Sequence, residues 1–583
     1  MKWLVRIGAA LVTALLLPGL LGDSALAGSV WSVLLILLLI PVFSFAPWKR
    51  PLSAVLSHLG GLLYAMLTAF GAALESTGAV DWRDGGMWLA IFCYAHVFAR
   101  LIGFAWEFLR RTEHRLSDPS KLDKLPNWLP WLALPVIFLC WLPCWLATWP
   151  GNFVYDATRE YAQLAKGFRG DFPMLHSALI TPLLQWSEES TGSVNTGIAI
   201  FTGGQMLLLA AMFTHMLARF WKLGANRLLV LVLGIYCAAF PGIHVLVTST
   251  VRDVLFSGLL TYSVFLLWDL SRTPEEMRWW RGIGPAVVCV LTVYSRNNNS
   301  GLLMPLALCA VALLLLWMGG KKGWKGALSF GMTALVAWFC VGGILANYCG
   351  ELQPASSNSS LTVLTQSLSR AYTLEKENWT KAEREEFEGY FNMNGFSYVP
   401  ENGDSTKGRL QLKEEGEAFL RFWLKMGLRY PGHYAEAYLL NTKALWLPGA
   451  VMDGYQENRV GVYVNYEKCW FDYADGIEAP ATLESKLPRV HDWYQNLSLM
   501  ISFEKIPVVS QLFSVGFHFW LLLFACLYAL ERRARKLYLP LALLLGYMAV
   551  SSLVPLMLLR YFGAIFFAFP LVCLFLLQPG KTK

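Results

Sequence analysis

Apolar runs of about 20 residues recur along this chain, and no other feature limits its fold so sharply. They fall near 4–21, 30–47, 52–74, 86–106, 127–149, 194–217, 228–248, 251–269, 283–295, 301–318, 327–348, 508–530, 537–556 and 562–578. A helix rises about 1.5 Å per residue, so about 20 residues cross a hydrocarbon layer of about 30 Å. Inside that layer every backbone N–H and C=O must bond within the protein, which favours helices. The pattern predicts an all-α polytopic membrane protein with about 14 transmembrane helices. A hydrophobic share of 56% against 15% charged residues agrees, as does a mean hydropathy of +0.44.

Charge sets the orientation. If the runs alternate in direction, Lys49, Arg50, Arg110, Arg111, Arg219, Lys222, Arg278, Lys321, Lys325, Arg532, Arg533 and Lys581 share one side. By the positive-inside rule that side is cytoplasmic, and both termini lie there. The formal net charge of +8 is then accounted for by basic loops, and nucleic acid is not an expected partner. Many tryptophans, such as Trp48, Trp128, Trp149 and Trp317, end apolar runs, as an interfacial belt requires. Lys2 and Arg6 followed by an apolar stretch and "ALA" have the outline of a signal peptide. A retained first helix is the preferred reading.

The expected organisation is a transmembrane module over 1–348 with an outer loop at 150–193. An extracytoplasmic segment over 349–507, mainly helical, and C-terminal transmembrane helices over 508–583 complete it. In the outer segment, Thr380 with Glu383 three residues on predicts a capped helix start. "FLRFWLKMGLRYPGHYAEAYLLNTKALWLPG" is aromatic-rich and amphipathic, and is expected along the membrane surface. Most of the eleven cysteines sit in apolar runs, where thiols act as small hydrophobes. Cys349 and Cys469 both fall in the outer segment and are expected to pair.

The polar stretch "YDATREYAQLAKGFRGDFPMLHSALIT" at 155–181 stands out between apolar runs. On a helix begun near Asp156, residues Asp156, Arg159, Glu160 and Gln163 share one face, with Ala157, Tyr161, Leu164 and Phe168 on the other. This predicts an interfacial amphipathic helix carrying two carboxylates one turn apart. The plainer alternative makes Asp156 an N-cap and Glu160 a solvated charge.

Three outer turns are unexpectedly basic. "TSTVRDVLFSG" carries Arg252 and Asp253, "VYSRNNNSG" carries Arg296 and Asn297, and "LMLLRYFG" carries Arg560. An ionisable group at membrane depth costs on the order of 2.5–3.5 kcal/mol on the insertion scale, and so marks a candidate functional residue. Arg252 pairing only with Asp253, or Arg296 snorkelling to the surface, would be a purely structural account. Arginines converging on the face that also holds Asp156 and His176 point instead to an anionic headgroup site, since a guanidinium grips phosphate oxygens in a fork.

The order of "VYDAT", "DFPMLHS", "VRDVLFS", "SRNNNSG", "LTQSLSRAY" and "RYPGHYAEAYLLNTKALWLPG" resembles multispanning glycosyltransferases of the GT-C type, within an uncharacterised bacterial branch. The likeness spans roughly 150–450 and continues loosely into "RYFGAIFFAFP". One departure is Phe172 where the branch has histidine before the proline, which leaves His176 as the only histidine of the loop. The resemblance implies transfer of a sugar from a polyprenyl-phosphate-linked donor to an extracytoplasmic acceptor, a cell-envelope glycan, lipid or protein, at the plasma membrane.

Such chemistry needs a base for the acceptor hydroxyl and positive charge for the departing lipid phosphate. A loop carboxylate at a hydrophobic interface can meet both substrates, which makes Asp156 the candidate general base, with Asp253 as base partner, metal ligand or orienter of Arg252, and His176 and Glu160 in support. Arg252, Arg296, Arg159, Asn297, Arg370 and Arg560 would bind the donor. Asp156 and Asp253 suffice to hold a divalent cation, though nothing in the pattern requires a cofactor. The rival class is a transporter or flippase of lipid-linked sugar, which would more often show inverted repeats and mid-membrane polar residues. No internal repeat is present.

Overall fold

The computed structural model describes residues 2–21, 30–45, 47–116, 125–153, 156–272, 279–296, 303–354, 361–412, 416–448, 479–499 and 509–577. The described chain is helical, with only isolated β-bridges and no strand among these residues. In chain order, the first half comprises α1 (Lys2–Leu15), α2 (Val30–Ser44), α3 (Pro51–Thr77), α4 (Gly85–Leu116), α5 (Ala133–Ala147), α6 (Asp156–Lys166), α7 (Met174–Thr191) and α8 (Asn195–Lys222). Then follow α9 (Arg227–Ala239), α10 (Pro241–Val247), α11 (Arg252–Arg272), α12 (Ile283–Tyr294) and α13 (Leu303–Cys349). The outer segment holds α14 (Thr362–Glu375), α15 (Lys381–Tyr390), α16 (Gly416–Arg429), α17 (Pro431–Asn441) and α18 (Pro488–Leu499). The last helices are α19 (Val515–Glu531), α20 (Tyr538–Ser551) and α21 (Gly563–Leu577).

The chain is a multi-pass membrane protein. Of the fourteen apolar runs, seven form helices long and apolar enough to cross a membrane, among the described residues. The pair α9–α10 makes an eighth if it is one span, bent by 54° at Pro241. Proline there removes an N–H and fixes φ, so the ladder breaks. The remaining runs give shorter apolar helices, such as α1 with 14 residues and α12 with 12. At 1.5 Å per residue these reach only about 18–21 Å, below the usual hydrocarbon thickness.

Helix α13 is 47 residues long, yet it is not one straight rod. A Cβ built on Gly331 would lie 3.2 Å from Ala312 Cβ. In a straight helix residues that far apart in sequence are separated by almost 30 Å. The chain therefore doubles back between them, and its two arms correspond to the separate apolar runs 301–318 and 327–348.

Helices α3 and α4 pack along their length. Gly61 allows this approach, since a Cβ there would sit 2.4 Å from the Ala95 carbonyl oxygen. Small residues at such contacts bring helix backbones together where lipid supplies no hydrophobic drive. The main core joins α3–α5 and α8–α11 to α19–α21, with Trp141 donating from α5 to the Cys237 carbonyl of α9 at 3.0 Å. One end of the bundle is held by ion pairs between helix ends: Arg110–Glu531 at 2.7 Å, Arg532–Glu113 at 2.8 Å and Arg219–Asp269 at 2.8 Å.

The opposite end carries the segment between α13 and α19, the one expected outside the membrane. Helices α14–α16 form a small aromatic core around Phe387, Phe419, Phe422 and Met426. Helix α15 begins with the expected capping box: Thr380 Oγ1 accepts from Glu383 N at 3.2 Å, and Glu383 Oε2 accepts from Thr380 N at 3.0 Å. Helix α16 buries Phe419, Phe422 and Met426 while Leu420, Leu424 and Leu428 stand exposed along its other side. The segment is bolted to the loop before Arg560: Gly403 N donates to Pro555 O at 2.7 Å, and Asn441 Nδ2 to Val554 O at 3.1 Å. The expected pairing of Cys349 rests on Cys469, which lies outside the described residues.

Candidate functional site: an arginine–aspartate cluster

The loops that carry the acidic and basic candidates are tied together before their side chains meet. Asn152 N donates to Thr248 O at 3.0 Å, and Thr250 N and Oγ1 donate to Asn152 O at 3.0 and 2.9 Å. Gln205, buried on α8, donates to the carbonyls of Val247 and Ser249 at 3.0 and 2.9 Å. Gly151 makes the turn possible: its φ is +135°, and a Cβ would lie 2.6 Å from Thr202 Cγ2. These bonds place the start of α6 beside the start of α11.

At that meeting point Asp156 Oδ2 accepts from Arg560 Nη1 at 2.9 Å and lies 3.6 Å from Arg252 Nη2. Asp253 pairs with Arg296, and its Oδ2 lies 3.8 Å from Arg560 Nε. Arg252 does not pair simply with its neighbour Asp253; it donates instead to the Asp171 carbonyl at 2.6 Å. Arg560 thus bridges both carboxylates from the head of the last helix. Four loops and helix ends, from 156, 252–253, 296 and 560, converge on one spot.

Aromatic rings support the guanidinium groups. Tyr561 lies under Arg560 at 4.9 Å and under Arg296 at 5.6 Å, and its hydroxyl is 3.1 Å from Arg560 Nη2. Phe172 stacks on Arg252 at 5.3 Å, so the residue that departs from the family-like histidine packs a cation. Tyr561 is not singled out by the sequence, and Phe172 stands out there only as a departure before Pro173; the signal for Tyr561 is its place directly after Arg560.

Three guanidinium groups face two carboxylates, so the cluster keeps a net positive charge. Arg159, exposed on α6, adds to it. Burial alone would raise the Asp156 pKa, but Arg560, Arg252 and Arg159 outweigh it and hold the carboxyl well below the usual range. For Arg296, burial and then the like charge of Arg252 push the pKa down, the mark of crowded cations. Among the described residues Arg252 Nε has no hydrogen-bond partner. An anion with several oxygens would complete such a set.

Helix α6 also corrects the expected surface helix. Glu160 and Gln163 are buried, not solvated, while Ala165 is exposed. The polar face turns into the protein because His176 on α7 waits there, with Nδ1 2.7 Å from Glu160 Oε2. Both side chains are almost wholly buried, at 0% and 1% exposure. His176 also meets the Phe201 ring edge-on. The pair sits one turn along α6 from Asp156 and braces the helix that carries it.

Two other candidates do not join the cluster. Arg370 pairs with Glu436 at 2.7 Å and donates to the Gly78 carbonyl at 2.7 Å, where Glu436 also accepts from Val80 N and Trp82 Nε1. It ties the segment after α13 to the α3–α4 turn, away from Asp156 and Asp253. Asn297 lies outside the described residues. As a divalent-cation site Asp156 and Asp253 do not fit, since both carboxylates already face guanidinium groups. No group of three or more metal-ligating His, Cys, Asp or Glu residues occurs among the described residues.

Fold and site together define a multi-pass helical membrane protein with a buried arginine–aspartate cluster at one end of its bundle. Residues 171–583 match the model of a family of unknown function, DUF6020. The match covers most of the chain, and the protein belongs to that family. His176, Arg252, Asp253, Arg296 and Arg560 fall within the matched region, while Asp156 and α6 precede it. No curated protein and no solved structure matches the chain.

Proposed function

We propose that this protein is a membrane glycosyltransferase that moves a sugar from a polyprenyl-phosphate-linked donor to an extracytoplasmic acceptor. The observation that carries the reading is the cluster itself. Arg252, Arg296 and Arg560 come from separate chain segments to one spot and outnumber their carboxylates; Arg252 and Arg560 open helices long and apolar enough to cross a membrane, and Arg296 follows the short apolar α12. A lipid phosphate lies at that depth, and forked guanidinium groups match its oxygens.

In this reading the arginines stabilise the departing phosphate and Asp156 takes the acceptor proton. Arg560 and Arg252 hold Asp156 ionised but too weak a base to act as it stands. A phosphate that draws the guanidinium groups to itself would release Asp156 and restore its basicity. Glu160 and His176 keep α6 in register. Fourteen crossings complete the topology if α1, α2, α12, α19, α20 and the first arm of α13 each traverse a thinned or tilted path. Both termini then face the cytoplasm of a plasma membrane and the outer segment lies outside.

The test is reconstitution in vesicles with a labelled polyprenyl-phosphate sugar. Transfer to a membrane or glycan acceptor is expected, lost in Asp156→Asn, and weakened through donor affinity in Arg296→Ala. Movement of the intact lipid between leaflets without transfer would replace the reading by that of a flippase. Full activity in Asp156→Asn would remove Asp156 as the base.

A further inference from the structure

A second polar cavity lies away from the arginine–aspartate cluster, between the α3–α4 turn and the outer segment. Its volume is about 510 Å³, within the range of about 300–1,000 Å³ typical of small-ligand sites. Glu75, Gly78, Arg370, Glu401 and Lys443 supply its polar wall, and Leu374 and Leu440 its apolar one. Lys443 is nearly buried, yet its ammonium has one close carboxylate, Glu401 Oε1 at 2.7 Å; Glu75 Oε1 stands at 3.9 Å, beyond hydrogen-bond reach. An ammonium has three N–H bonds to place.

The charges select the class of ligand. Lys443 faces two carboxylates and Arg370 is taken by Glu436, so no excess positive charge remains for a phosphate. What remains is a ring of charged donors and acceptors beside a leucine shelf. Hydroxyl groups donate and accept at once, and suit both kinds of partner. The C–H face of a sugar ring suits the leucines. We infer that this cavity is a binding subsite for an uncharged carbohydrate, the acceptor subsite if the transferase reading holds.

Its position fits that role. Glu401 lies two residues before Gly403, whose N–H is bonded to Pro555 O, and Pro555 lies five residues before Arg560. Two short stretches of chain, joined by that backbone hydrogen bond, therefore link the cavity wall to the cluster. The inference deepens the transferase reading and rests on it only for the word acceptor.

The experiment measures saturation-transfer NMR of uncharged di- and trisaccharides of gluco, galacto and manno configuration on the full chain in nanodiscs. At least one is expected to bind. Binding should weaken about tenfold or more in Leu374→Trp, which fills the cavity, and in the paired Lys443→Gln/Glu401→Gln change. Leu374 is 52% exposed and carries no charge, so its variant decides the matter if the double variant fails to fold. No binding by any saccharide, equal binding in Leu374→Trp, or competition by inorganic phosphate would overturn the inference. Saccharide binding that follows the variants while no sugar transfer occurs would leave the cavity assignment standing and sink the transferase reading. Transfer without such binding would do the reverse.

Discussion

Replacing Asp156 by Asn preserves shape and removes one negative charge from between Arg560 at 2.9 Å and Arg252 at 3.6 Å. On the transferase proposal, the protein's own carboxylate occupies the fork that the donor phosphate needs, so its loss should strengthen anion binding even as it stops turnover. At 4 Å and an effective dielectric constant of about 20, one unit charge is worth about 4 kcal/mol. The Asp156 side chain is 13% exposed, so solvent screens part of this. About a third of that figure is already a tenfold gain in affinity. Calorimetric titration of the full chain with inorganic phosphate, at fixed ionic strength, should therefore show at least about tenfold tighter binding by Asp156→Asn than by the native chain. Equal or weaker binding would refute the idea that Asp156 competes with the ligand for the arginines.

Removing Glu160 as Ala orphans the buried His176 and should cost about 1–3 kcal/mol of stability, read by thermal or chemical unfolding, whereas Glu160→Gln keeps a hydrogen bond and should lose less. Thr380→Ala breaks the capping box of α15 and should cost about 1 kcal/mol on the same assay, without affecting phosphate binding. The depressed Asp156 pKa stabilises the folded chain at pH above the ordinary carboxylate value of about 4; this contribution should fade as pH falls below that value, and Asp156→Asn should flatten that part of the acid-unfolding curve. A single cysteine at position 404 should react with an impermeant maleimide added outside intact cells; reaction only after permeabilisation would invert the topology.

Much of the membrane architecture is legible in hydropathy, because every apolar run becomes a helix or a helical arm. What the runs conceal is length. Pro241 bends the α9–α10 pair, α12 stops after 12 residues, and α13 joins two arms that hydropathy separates. The basic outer turns at Arg252, Arg296 and Arg560 stand out because they run against the charge bias of the loops. Their partners do not, since nothing local tells Asp156 that its strongest contact lies 404 residues away. Arg370 shares their side of the membrane but not their company, and side alone was the signal available. The burial of Glu160 depends on His176 in the following helix, which a single-helix projection omits.

That separation of 404 residues also sets a clock. Synthesis at about 5–20 residues per second leaves Asp156 waiting roughly 20–80 s for Arg560 to emerge. The outer segment waits too, since its bolt to Pro555 forms only after α20 has been made. Until then Asp156 and Asp253 have only Arg252 and Arg296 to face within the cluster. A chain stalled before Arg560 would therefore lack the guanidinium that bridges Asp156 and Asp253.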